Sequence, residues 1–375
     1  MEEQQTYQVA IIGGGLAGLT LAIQLRKGGI SVIVFEKESY PFHKVCGEYI
    51  SMESWDFIES LGIPLSSMNL PRITQLNVSA PNGSMLSHRL ELGGFGISRF
   101  TLDNQLFERA KQLGVVVKEQ CKVQDVIHHS IQTNQGYFSA SVVIGSWGKR
   151  SRMDAVLLRD FQQPGNRTLN NYVGVKYHVQ ANLPDNLIEL HNFKNGYCGI
   201  SKIEDNKYCM CYLVSGEELK KAGGNIQQLE ETVLMRNPYL HKYFKSFPSL
   251  YERPLTISQI SFERKRIIEN NMLMVGDAAG LITPLCGNGM TMAMHASKIA
   301  AVQLIRYFNQ EQSYLNTQRN YKTAWEKEFQ QRLRIGRLLQ GVFGGNATTN
   351  SAILFFRLFS GLLSYLVGKT HGKKI

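Results

Sequence analysis

Residues 9–25 read VAIIGGGLAGLTLAIQL, and this stretch decides the fold. The apolar run at 9–12 has the composition of a fully buried parallel strand. Gly13, Gly15 and Gly18 follow in G-x-G-x-x-G spacing, and residues 16–26 have the pattern of an amphipathic helix. The first glycine allows a tight turn, the second lets backbone approach a phosphate, and the third lets helix and strand pack closely. The stretch therefore predicts a strand, a turn and a helix whose N-terminus faces negative charge.

A second apolar run extends this prediction to a nucleotide site. Residues 31–35 read SVIVF, and Glu36 ends the run at the distance from Gly18 that a dinucleotide fingerprint requires. A carboxylate there accepts hydrogen bonds from a ribose diol and repels a 2′-phosphate. A glycine turn without a ligand is the alternative. The fingerprint alone does not separate a flavin from a nicotinamide nucleotide.

The stretch MLMVGDAAGLITPLCGNGMTMAMHA, residues 272–296, makes that separation. Its strand-like start ends at Gly276 and Asp277, and a long helical pattern begins near Gly289. Ligands bind at the carboxyl ends of strands in a doubly wound sheet, so Asp277 would face the middle of the nucleotide. The helix N-terminus would stabilise negative charge on a reduced flavin ring. Capping of the next helix is the alternative role of Asp277. Together, the two glycine-rich stretches favour FAD.

The chain resembles the flavoprotein superfamily that contains the p-hydroxybenzoate hydroxylase-type monooxygenases, the geranylgeranyl reductases and the flavin-dependent halogenases. The resemblance runs from about residue 7 to about residue 308. Besides the two stretches above, it rests on KVCGEYIS at 44–51, on SRFTLDNQLFERAKQLG at 98–114 and on VVIGSWGKRSR at 142–152. Trp147 in the last of these replaces the aspartate of the family's usual G-A-D-G, which puts the family's handling of NADPH in doubt.

The resemblance implies roles for individual residues in an FAD site. Glu36 would bind the adenosine ribose, and Arg99 would reach the pyrophosphate or ribityl region. Val123 would meet the adenine through its backbone, and Asp277 would bind the ribityl chain. The complete set of expected cofactor-binding residues is Gly13, Gly15, Ala17, Gly18, Glu36, Lys37, Lys44, Cys46, Arg99, Val123, Gly276, Asp277, Pro284, Gly287, Gly289 and Met290, the last two at the pyrimidine end of the flavin.

The same resemblance implies an α/β fold, α+β overall. We expect a discontinuous, Rossmann-like FAD-binding domain at 1–75, 98–165 and 262–320. An inserted antiparallel-sheet domain that carries the substrate would comprise 76–97 and 166–261. In the second of these ranges the sequence pattern is strand-like and rich in aromatic residues. Residues 321–375 would form a C-terminal helical region.

Composition excludes several classes of protein. The six cysteines include no C-x-x-C pair, so we expect no metal site and no disulfide framework, and a reducing cytoplasm is the natural compartment. The first five residues, MEEQQ, do not resemble a signal peptide. The net charge of +11 is either solvated surface charge or an attraction to anionic nucleotides or lipids. No nucleic-acid-binding module is present in the sequence, so nucleic acid is not an expected partner.

The C-terminal stretch AILFFRLFSGLLSYLVG, residues 352–368, is apolar apart from Arg357 and two serines. As a helix it would be slightly short for a bilayer core. Packing on the protein, a peripheral contact with a membrane surface, and a true span all stay open for this stretch, in that order of preference.

Candidate catalytic residues lie in the KVCGEYIS motif. Geranylgeranyl reductases carry a similar cysteine near the flavin ring, which makes Cys46 the leading candidate, although it would also fit as a small buried filler. Glu48 would donate a proton or would cap the helix that follows. His43, Tyr197 and Tyr212 are expected to line the substrate pocket.

These features predict an FAD-dependent oxidoreductase that acts on a hydrophobic small molecule. A monooxygenase that uses reduced flavin and O2 is narrowly favoured. A double-bond reductase of the geranylgeranyl reductase type is the first alternative; a halogenase and a non-catalytic flavin-binding sensor or scaffold are the others. The segment GYCGI at 196–200 lacks both the paired tryptophans of halogenases and the Y-x-W-x-F-P pattern of geranylgeranyl reductases. No second G-x-G-x-x-G unit occurs, so NAD(P)H would bind transiently or another reductase would supply electrons.

Overall fold

The first glycine-rich stretch forms β1 (Thr6–Ile12) and α1 (Leu16–Lys27). Strand β1 lies in the middle of a sheet, between β2 (Val32–Phe35) and β9 (Gly136–Gly145), and both pairings are parallel. Its central residues are fully buried because parallel strands are covered on both faces. The strand and helix predicted from the sequence are thus present in the expected order.

The computed structural model describes residues 6–162, 170–282, 287–342 and 346–358, together with residues 368 and 374–375. The remaining strands are β3 (Tyr49–Ser51), β4 (Arg72–Ser79), β5 (Met85–Gly96), β6 (Val116–Lys118), β7 (Val123–Ile127), β8 (Ser130–Thr133), β10 (Asn170–Val179), β11 (Leu187–Phe193), β12 (Gly196–Lys202), β13 (Tyr208–Ser215), β14 (Leu255–Ser261), β15 (Ile268–Glu269) and β16 (Met272–Met274). The remaining helices are α2 (Trp55–Ser60), α3 (Arg99–Gln112), α4 (Arg152–Val156), α5 (Gly216–Lys221), α6 (Ile226–Thr232), α7 (Pro238–Ser246), α8 (Gly289–Phe308), α9 (Tyr314–Val342) and α10 (Asn346–Leu358).

The first sheet carries the doubly wound part of the fold. Its strands run in the order β15-β16-β9-β1-β2-β6, and β7 and β8 join it through β9. Helices α1 and α8 pack against each other beside this sheet, and the hydroxyls of Thr20 and Ser297 meet between them at 2.7 Å. The two glycine-rich stretches, far apart in the chain, therefore lie side by side in the fold.

The second sheet has the order β14-β10-β13-β12-β11-β4-β5-β3 and is antiparallel except for the pairing of β11 with β4. One of its faces packs on helices α5, α6 and α7. The other face turns toward the first sheet and carries Cys209, whose thiol donates to the Cys46 carbonyl at 3.2 Å. The α/β architecture with an additional antiparallel sheet confirms the expected fold class.

Membership in the two sheets does not follow the expected domain ranges everywhere. Strand β3, within 1–75, pairs with β5 in the second sheet, as does the whole of β4. The chain enters the second sheet at β3, which forms the last three residues of the KVCGEYIS motif, so this motif joins the two layers. The domain ranges themselves stay a prediction.

The C-terminal helices cover both layers. Helix α9 packs on the first sheet, where the Tyr321 hydroxyl donates to the Met274 carbonyl at 2.6 Å. Helix α10 buries Ile353 and Phe356 against β4 and β5 of the second sheet. It begins earlier than the expected 352–368 helix, and residues 359–367 lie outside the described residues. Among the residues that the structure describes, no helix combines the length and the apolar character needed to cross a bilayer.

Candidate functional site

The turn between β1 and α1 accepts glycine alone at two positions. Gly13 has a φ of +106°, and a Cβ there would overlap the Ser146 carbonyl oxygen. A Cβ on Gly18 would overlap the Gly13 carbonyl oxygen. These contacts bring the start of α1 against the ends of β1 and β9, so the free N–H groups of the helix face the edge of the sheet.

Two cations lie beside this turn. Arg99 Nη2 and Lys44 Nζ are each 3.6 Å from the point that a Cβ on Gly15 would occupy. Buried Asp103 holds both of them: Arg99 donates to its two oxygens at 2.7 Å, and Lys44 donates to Oδ2 at 3.0 Å. Burial opposes ionisation of Asp103, but the charges of Arg99 and Lys44 prevail and lower the pKa of Asp103. Two fixed positive charges and free N–H groups fit a pyrophosphate.

The expected adenosine end lies beyond β2. Glu36 is buried and accepts hydrogen bonds from the Gly14 N–H at 3.0 Å and the Glu38 N–H at 3.2 Å. Its carbonyl accepts from the Cys121 N–H at 2.8 Å, which places Val123 at the start of the neighbouring strand β7. Lys37, expected to bind cofactor, is instead mostly exposed and pairs with Glu38 at 2.9 Å. The structure thus brings Glu36 and Val123 together and leaves Lys37 at the surface.

The second glycine-rich stretch abuts the first. A Cβ on Gly276, whose φ is +62°, would lie 2.9 Å from the Ala17 side chain. The Asp277 carbonyl accepts a hydrogen bond from Lys265 Nζ at 2.8 Å, and burial lowers the pKa of Lys265 to about 8. Helix α8 begins at Gly289. Gly287, with a φ of +67°, lies against the ring of Tyr49. Pro284 lies outside the described residues.

A small cleft opens beside these residues. Its lining joins the Gly276–Asp277 turn to helices α8 and α9, and includes Gly276, Asp277, Gly289, Met292, Trp325 and Phe329. The Gly276–Asp277 turn that borders this cleft also abuts Ala17 of the first glycine-rich stretch, beside the paired cations. The residues present therefore fit FAD.

Cys46 lies at the point where the KVCGEYIS motif meets α8. Its Sγ is 3.6 Å from Sδ of Met290, the second residue of that helix. The side chain is only partly buried. Cys46 and Met290, both expected cofactor residues, are thus in contact.

Glu48 is the centre of a buried polar network. Its backbone adopts a left-handed φ of 56°, rare for a residue other than glycine. Oε1 accepts from the Arg99 N–H at 2.7 Å and from Lys176 Nζ at 2.5 Å, and Oε2 lies 2.6 Å from His178 Nε2. Burial raises the pKa of Glu48, but the hydrogen bond from His178 and the Lys176 charge prevail and lower it. Glu48 thus accepts the first N–H of α3, whose N-cap residue is Ser98, while the helical turn that follows the motif in sequence is capped by Ser51.

Sequence reasoning missed Lys176 and His178. Both lie on β10 and are two residues apart, so they point to the same face of the second sheet. Their side chains are almost fully buried. The available signal was the alternation of polar and apolar residues in NYVGVKYHV, since a buried lysine and a buried histidine on one strand face require a partner.

His43 lies at the outer end of the same network. Its ring stacks on Phe100 at 4.5 Å, and Nδ1 lies 3.1 Å from the Tyr251 hydroxyl. That hydroxyl is also 2.8 Å from His178 Nδ1. Burial, followed by the Lys176 charge, lowers the pKa of His43 to about 4. Tyr251 is a further residue that the sequence did not single out.

Of the two tyrosines expected in the pocket, only Tyr197 is on the face of the second sheet that turns toward the first sheet. Tyr197 packs with Leu213, Phe262 and Leu281 between the second sheet and the Gly276–Asp277 turn. Tyr212 is instead in the outer core, where its hydroxyl donates to Glu230 of α6 at 2.8 Å. Successive residues of a strand face opposite sides, so Tyr212 cannot share a face with Cys211 and Leu213. Its assignment to the pocket is corrected accordingly.

Glu48, His178 and Cys209 have potential metal-ligand atoms within 4.8 Å of one another. The ammonium group of Lys176 already supplies positive charge at the Glu48 carboxylate. Burial raises the pKa of the Cys209 thiol well above its ordinary value, which disfavours the thiolate that a metal would need. This cluster is therefore an internal ion-pair network.

Comparisons with known proteins identify the family of the chain. The FAD-binding-domain family model matches residues 6–323. Conditioned medium factor receptor 1 of Dictyostelium discoideum is 23% identical over 368 residues, which cover 88% of this chain and 69% of that protein. Digeranylgeranylglycerophospholipid reductase of Methanococcus vannielii is 24% identical over 351 residues, covering 87% and 83%. The structure of the flavin-dependent brominase Bmp2 superposes with a TM-score of 0.79 at 17% identity, covering 97% of this chain and 94% of that one.

The family match extends over both glycine-rich stretches and over the motif that carries Cys46 and Glu48. The relatives that cover most of this chain include a reductase, and the brominase structure has the same fold. On these grounds the chain belongs to the FAD-binding-domain family and is an FAD-dependent oxidoreductase.

Proposed function

We propose that the protein reduces a carbon–carbon double bond in a hydrophobic substrate. The observation that carries this proposal is the position of the Cys46 thiol at the start of α8, where its Sγ lies 3.6 Å from Sδ of Met290. Ionisable side chains, among them Lys176, lie close enough to interact with its charge. Sequence alone narrowly favours a monooxygenase. The thiol and the network behind it favour the reductase, because reduction of a double bond requires a proton donor close to the site of hydride transfer.

The residues that would hold FAD follow from the geometry above. The glycine turn, Arg99 and Lys44 would bind the pyrophosphate, Glu36 the ribose, and the Gly276–Asp277 turn and the start of α8 the flavin end. Bound FAD supplies the hydride chemistry. Cys46 donates the proton, and the side chains around it exclude water from the reacting carbon atoms.

The surroundings of Tyr197 support a hydrophobic substrate. Tyr197, Leu213, Phe262 and Leu281 are buried together on the face of the second sheet that turns toward the FAD-binding layer. Leu190 extends this apolar surface toward Val78 and Phe356, because it packs against both groups of residues. This apolar packing lies beside the FAD-binding layer, where the walls of a pocket for a long hydrocarbon substrate would be apolar. The reductase relative acts on a substrate of that class, as its name states.

Oxygen-dependent hydroxylation is the second candidate. The observation that favours it is the closed Glu48 network, in which Glu48 and Lys176 are 0% exposed. A water-excluding site is also what oxygen chemistry on a reduced flavin requires. Halogenation and a non-catalytic sensor role have no comparable support among the described residues.

Electrons would come from NAD(P)H that binds transiently, or from a separate reductase. Trp147, at the position of the family's usual aspartate, donates through Nε1 to Asp154 at 2.9 Å and packs against Gly145. The Trp147 side chain therefore has a packing role at this position. Stopped-flow reduction by NADH and by NADPH identifies the donor.

A peripheral contact with an anionic membrane surface would give access to such a substrate. Leu338, Leu354 and Phe355 are 71%, 59% and 45% exposed on α9 and α10, and Arg334 and Arg357 are exposed on the same helices. Exposed apolar side chains beside cations are typical of an interfacial helix. Leu354→Glu should abolish co-sedimentation with vesicles containing phosphatidylglycerol, while the wild type should not bind vesicles of phosphatidylcholine alone. Equal binding of both proteins to both vesicles would refute the contact.

The test of function separates the two candidates in one experiment. Anaerobically reduced enzyme is mixed with prenyl and enone substrates, and flavin reoxidation is followed by its absorbance. The reductase proposal expects substrate-dependent reoxidation without O2 and a product heavier by two hydrogen atoms. Reoxidation that requires O2, with a product heavier by one oxygen atom, would establish hydroxylation instead.

Variants then test the role of Cys46. Cys46→Ser should lower turnover by about 100-fold with FAD content unchanged, a loss within the range that positioned proton donors contribute. Cys198→Ala is the matched control, since that thiol is buried in the outer core on the opposite face of the sheet. Equal activity of the Cys46 variant and the control would assign Cys46 to packing.

A further inference from the structure

We propose that His43, Tyr251, His178 and Glu48 form a relay that carries protons from the surface to Lys176. Lys176 is the last donor before Cys46. The inference rests on the proposed function only for the final acceptor, Cys46. A supply of protons is also needed when FAD itself is reduced, which allows the relay to be tested without a substrate.

The links of this relay are short and continuous. His43 Nδ1 lies 3.1 Å from the Tyr251 hydroxyl, and the hydroxyl lies 2.8 Å from His178 Nδ1. His178 Nε2 is 2.6 Å from Glu48 Oε2, and Glu48 Oε1 accepts from Lys176 Nζ at 2.5 Å. Every distance is within the range for proton transfer along a hydrogen bond. The same histidine is connected through both ring nitrogens, as a relay requires.

Burial gives the relay a direction. Glu48 and Lys176 are 0% exposed, and His178 is 4% exposed. Tyr251 and His43 are only partly buried. The inner end lies beside the segment that carries Cys46, because Lys176 Nζ donates to the Lys44 carbonyl at 3.3 Å and the Cys209 thiol donates to the Cys46 carbonyl at 3.2 Å. The charges of Cys209 and Cys46 also help to raise the pKa of Lys176 against the effect of burial. The chain of contacts therefore begins near solvent and ends beside Cys46.

Protons and charges balance at each step. His43 takes a proton from solvent at Nε2 and passes its Nδ1 proton to the Tyr251 oxygen. Tyr251 passes its hydroxyl proton to His178 Nδ1, and His178 passes its Nε2 proton to Glu48. Lys176 gives a proton to the thiolate left on Cys46 and regains one from Glu48. The net change is one proton moved from solvent to Cys46, with both histidines left in the opposite tautomer.

The backbone is shaped to hold the inner carboxylate. The left-handed conformation of Glu48 lets Oε1 accept the Arg99 N–H at 2.7 Å while Oε2 faces His178. Strained backbone that the surroundings hold in place is common at functional sites. A purely structural ion pair between Glu48 and Lys176 would need neither His178 nor the outward extension through Tyr251.

Charged groups outside the relay also shift the pKa values of its two outer members, His43 and Tyr251. Lys207 acts on His43 to lower its pKa, and Glu204 acts on Tyr251 to raise its pKa, in both cases after the larger effect of burial. His43 is thus neutral at physiological pH, with a pKa of about 4. A neutral imidazole can accept a proton at one nitrogen while it donates from the other.

The test interrupts the relay at one hydroxyl group. Tyr251→Phe keeps the ring and removes the link between His43 and His178. Tyr243→Phe is the matched control, because it removes a hydroxyl that donates to buried Glu189 at 2.6 Å in the separate network of His191. Both variants are purified with FAD, reduced photochemically, and followed with a pH-indicator dye in weakly buffered solution.

Tyr251→Phe should slow proton uptake by about 100-fold with FAD content unchanged, while Tyr243→Phe should match the wild type. In the protein without FAD, the NMR signal of His178 Nδ1, which lies 2.8 Å from the Tyr251 hydroxyl, should also change only in Tyr251→Phe. Proton uptake at the wild-type rate in Tyr251→Phe would overturn the relay. If uptake slows but no double bond is reduced by the wild type, the relay stands and the proposed function fails.

Discussion

Removal of the Lys176 ammonium group should reverse the effect of acid on stability. In the wild type, Glu48 and Lys176 are both fully buried and 2.5 Å apart. The Lys176→Met variant keeps most of the aliphatic volume but leaves the carboxylate with only the Arg99 N–H and His178. Breaking one side of a buried ion pair costs about 3 to 5 kcal/mol of unfolding free energy.

The sign of the pH dependence follows from the Glu48 pKa. In the wild type this pKa is below the ordinary value of 4.5, so Glu48 stabilises the fold above pH 4.5 and loses this contribution as the pH falls further. Without Lys176, the charge and the hydrogen bond of the ammonium group no longer oppose burial and only His178 does, so we expect the pKa of Glu48 to rise above its ordinary value. The variant should then gain stability on acidification from pH 8 to pH 5, as the carboxyl group takes up a proton in the fold.

Urea unfolding of the protein without FAD, followed by circular dichroism at pH 5 and pH 8, measures both effects. Lys202→Met is the control, since Lys202 pairs at 2.6 Å with Asp185, which is mostly exposed. A surface pair of this kind contributes at most about 1 kcal/mol. The double variant Glu48→Gln/Lys176→Met should recover part of the loss. A loss at Lys176 no larger than that at Lys202, with no reversal of the pH effect, would refute the reasoning.

Three further predictions concern the cofactor site. Gly18→Ala should yield protein almost free of FAD, because the added Cβ overlaps the Gly13 carbonyl oxygen; an unchanged ratio of flavin to protein absorbance would contradict the close packing. Asp277→Ala should weaken FAD retention on dialysis by roughly tenfold, the scale of one lost charge-assisted hydrogen bond, and wild-type retention would argue against its role at the ribityl chain. Lys265 has a pKa of about 8, below the 10.5 of the unfolded chain, so the stability of the fold should rise between pH 8 and pH 10. Lys265→Met should abolish that rise in thermal unfolding. An identical rise in the variant would show that it has another origin.

Local pattern in the chain was sufficient to identify the cofactor layer. The spacing of Gly13, Gly15 and Gly18 is itself a statement about backbone geometry, since the turn leaves no room for a Cβ at two of these positions. The following carboxylate, Glu36, lies directly after a buried strand, where β2 ends. These features depend on neighbours within a few tens of residues. For that reason the strand, the turn, the helix and a nucleotide site could be predicted from the local sequence, whereas the choice of FAD also required the second glycine-rich stretch at 272–296.

The surroundings of Cys46 and Glu48, by contrast, depend on contacts between distant segments. Glu48 meets Lys176 and His178 of β10 only in the folded chain, and no local pattern in either segment predicts that they meet. Tyr212 was placed on the wrong side for the same reason. Alternation along β13 shows which residues share a face, but the direction of that face is set by helices α5 to α7, which bury Tyr212 against Glu230. Burial and sheet packing, which act over the whole chain, decide which side chains face the flavin.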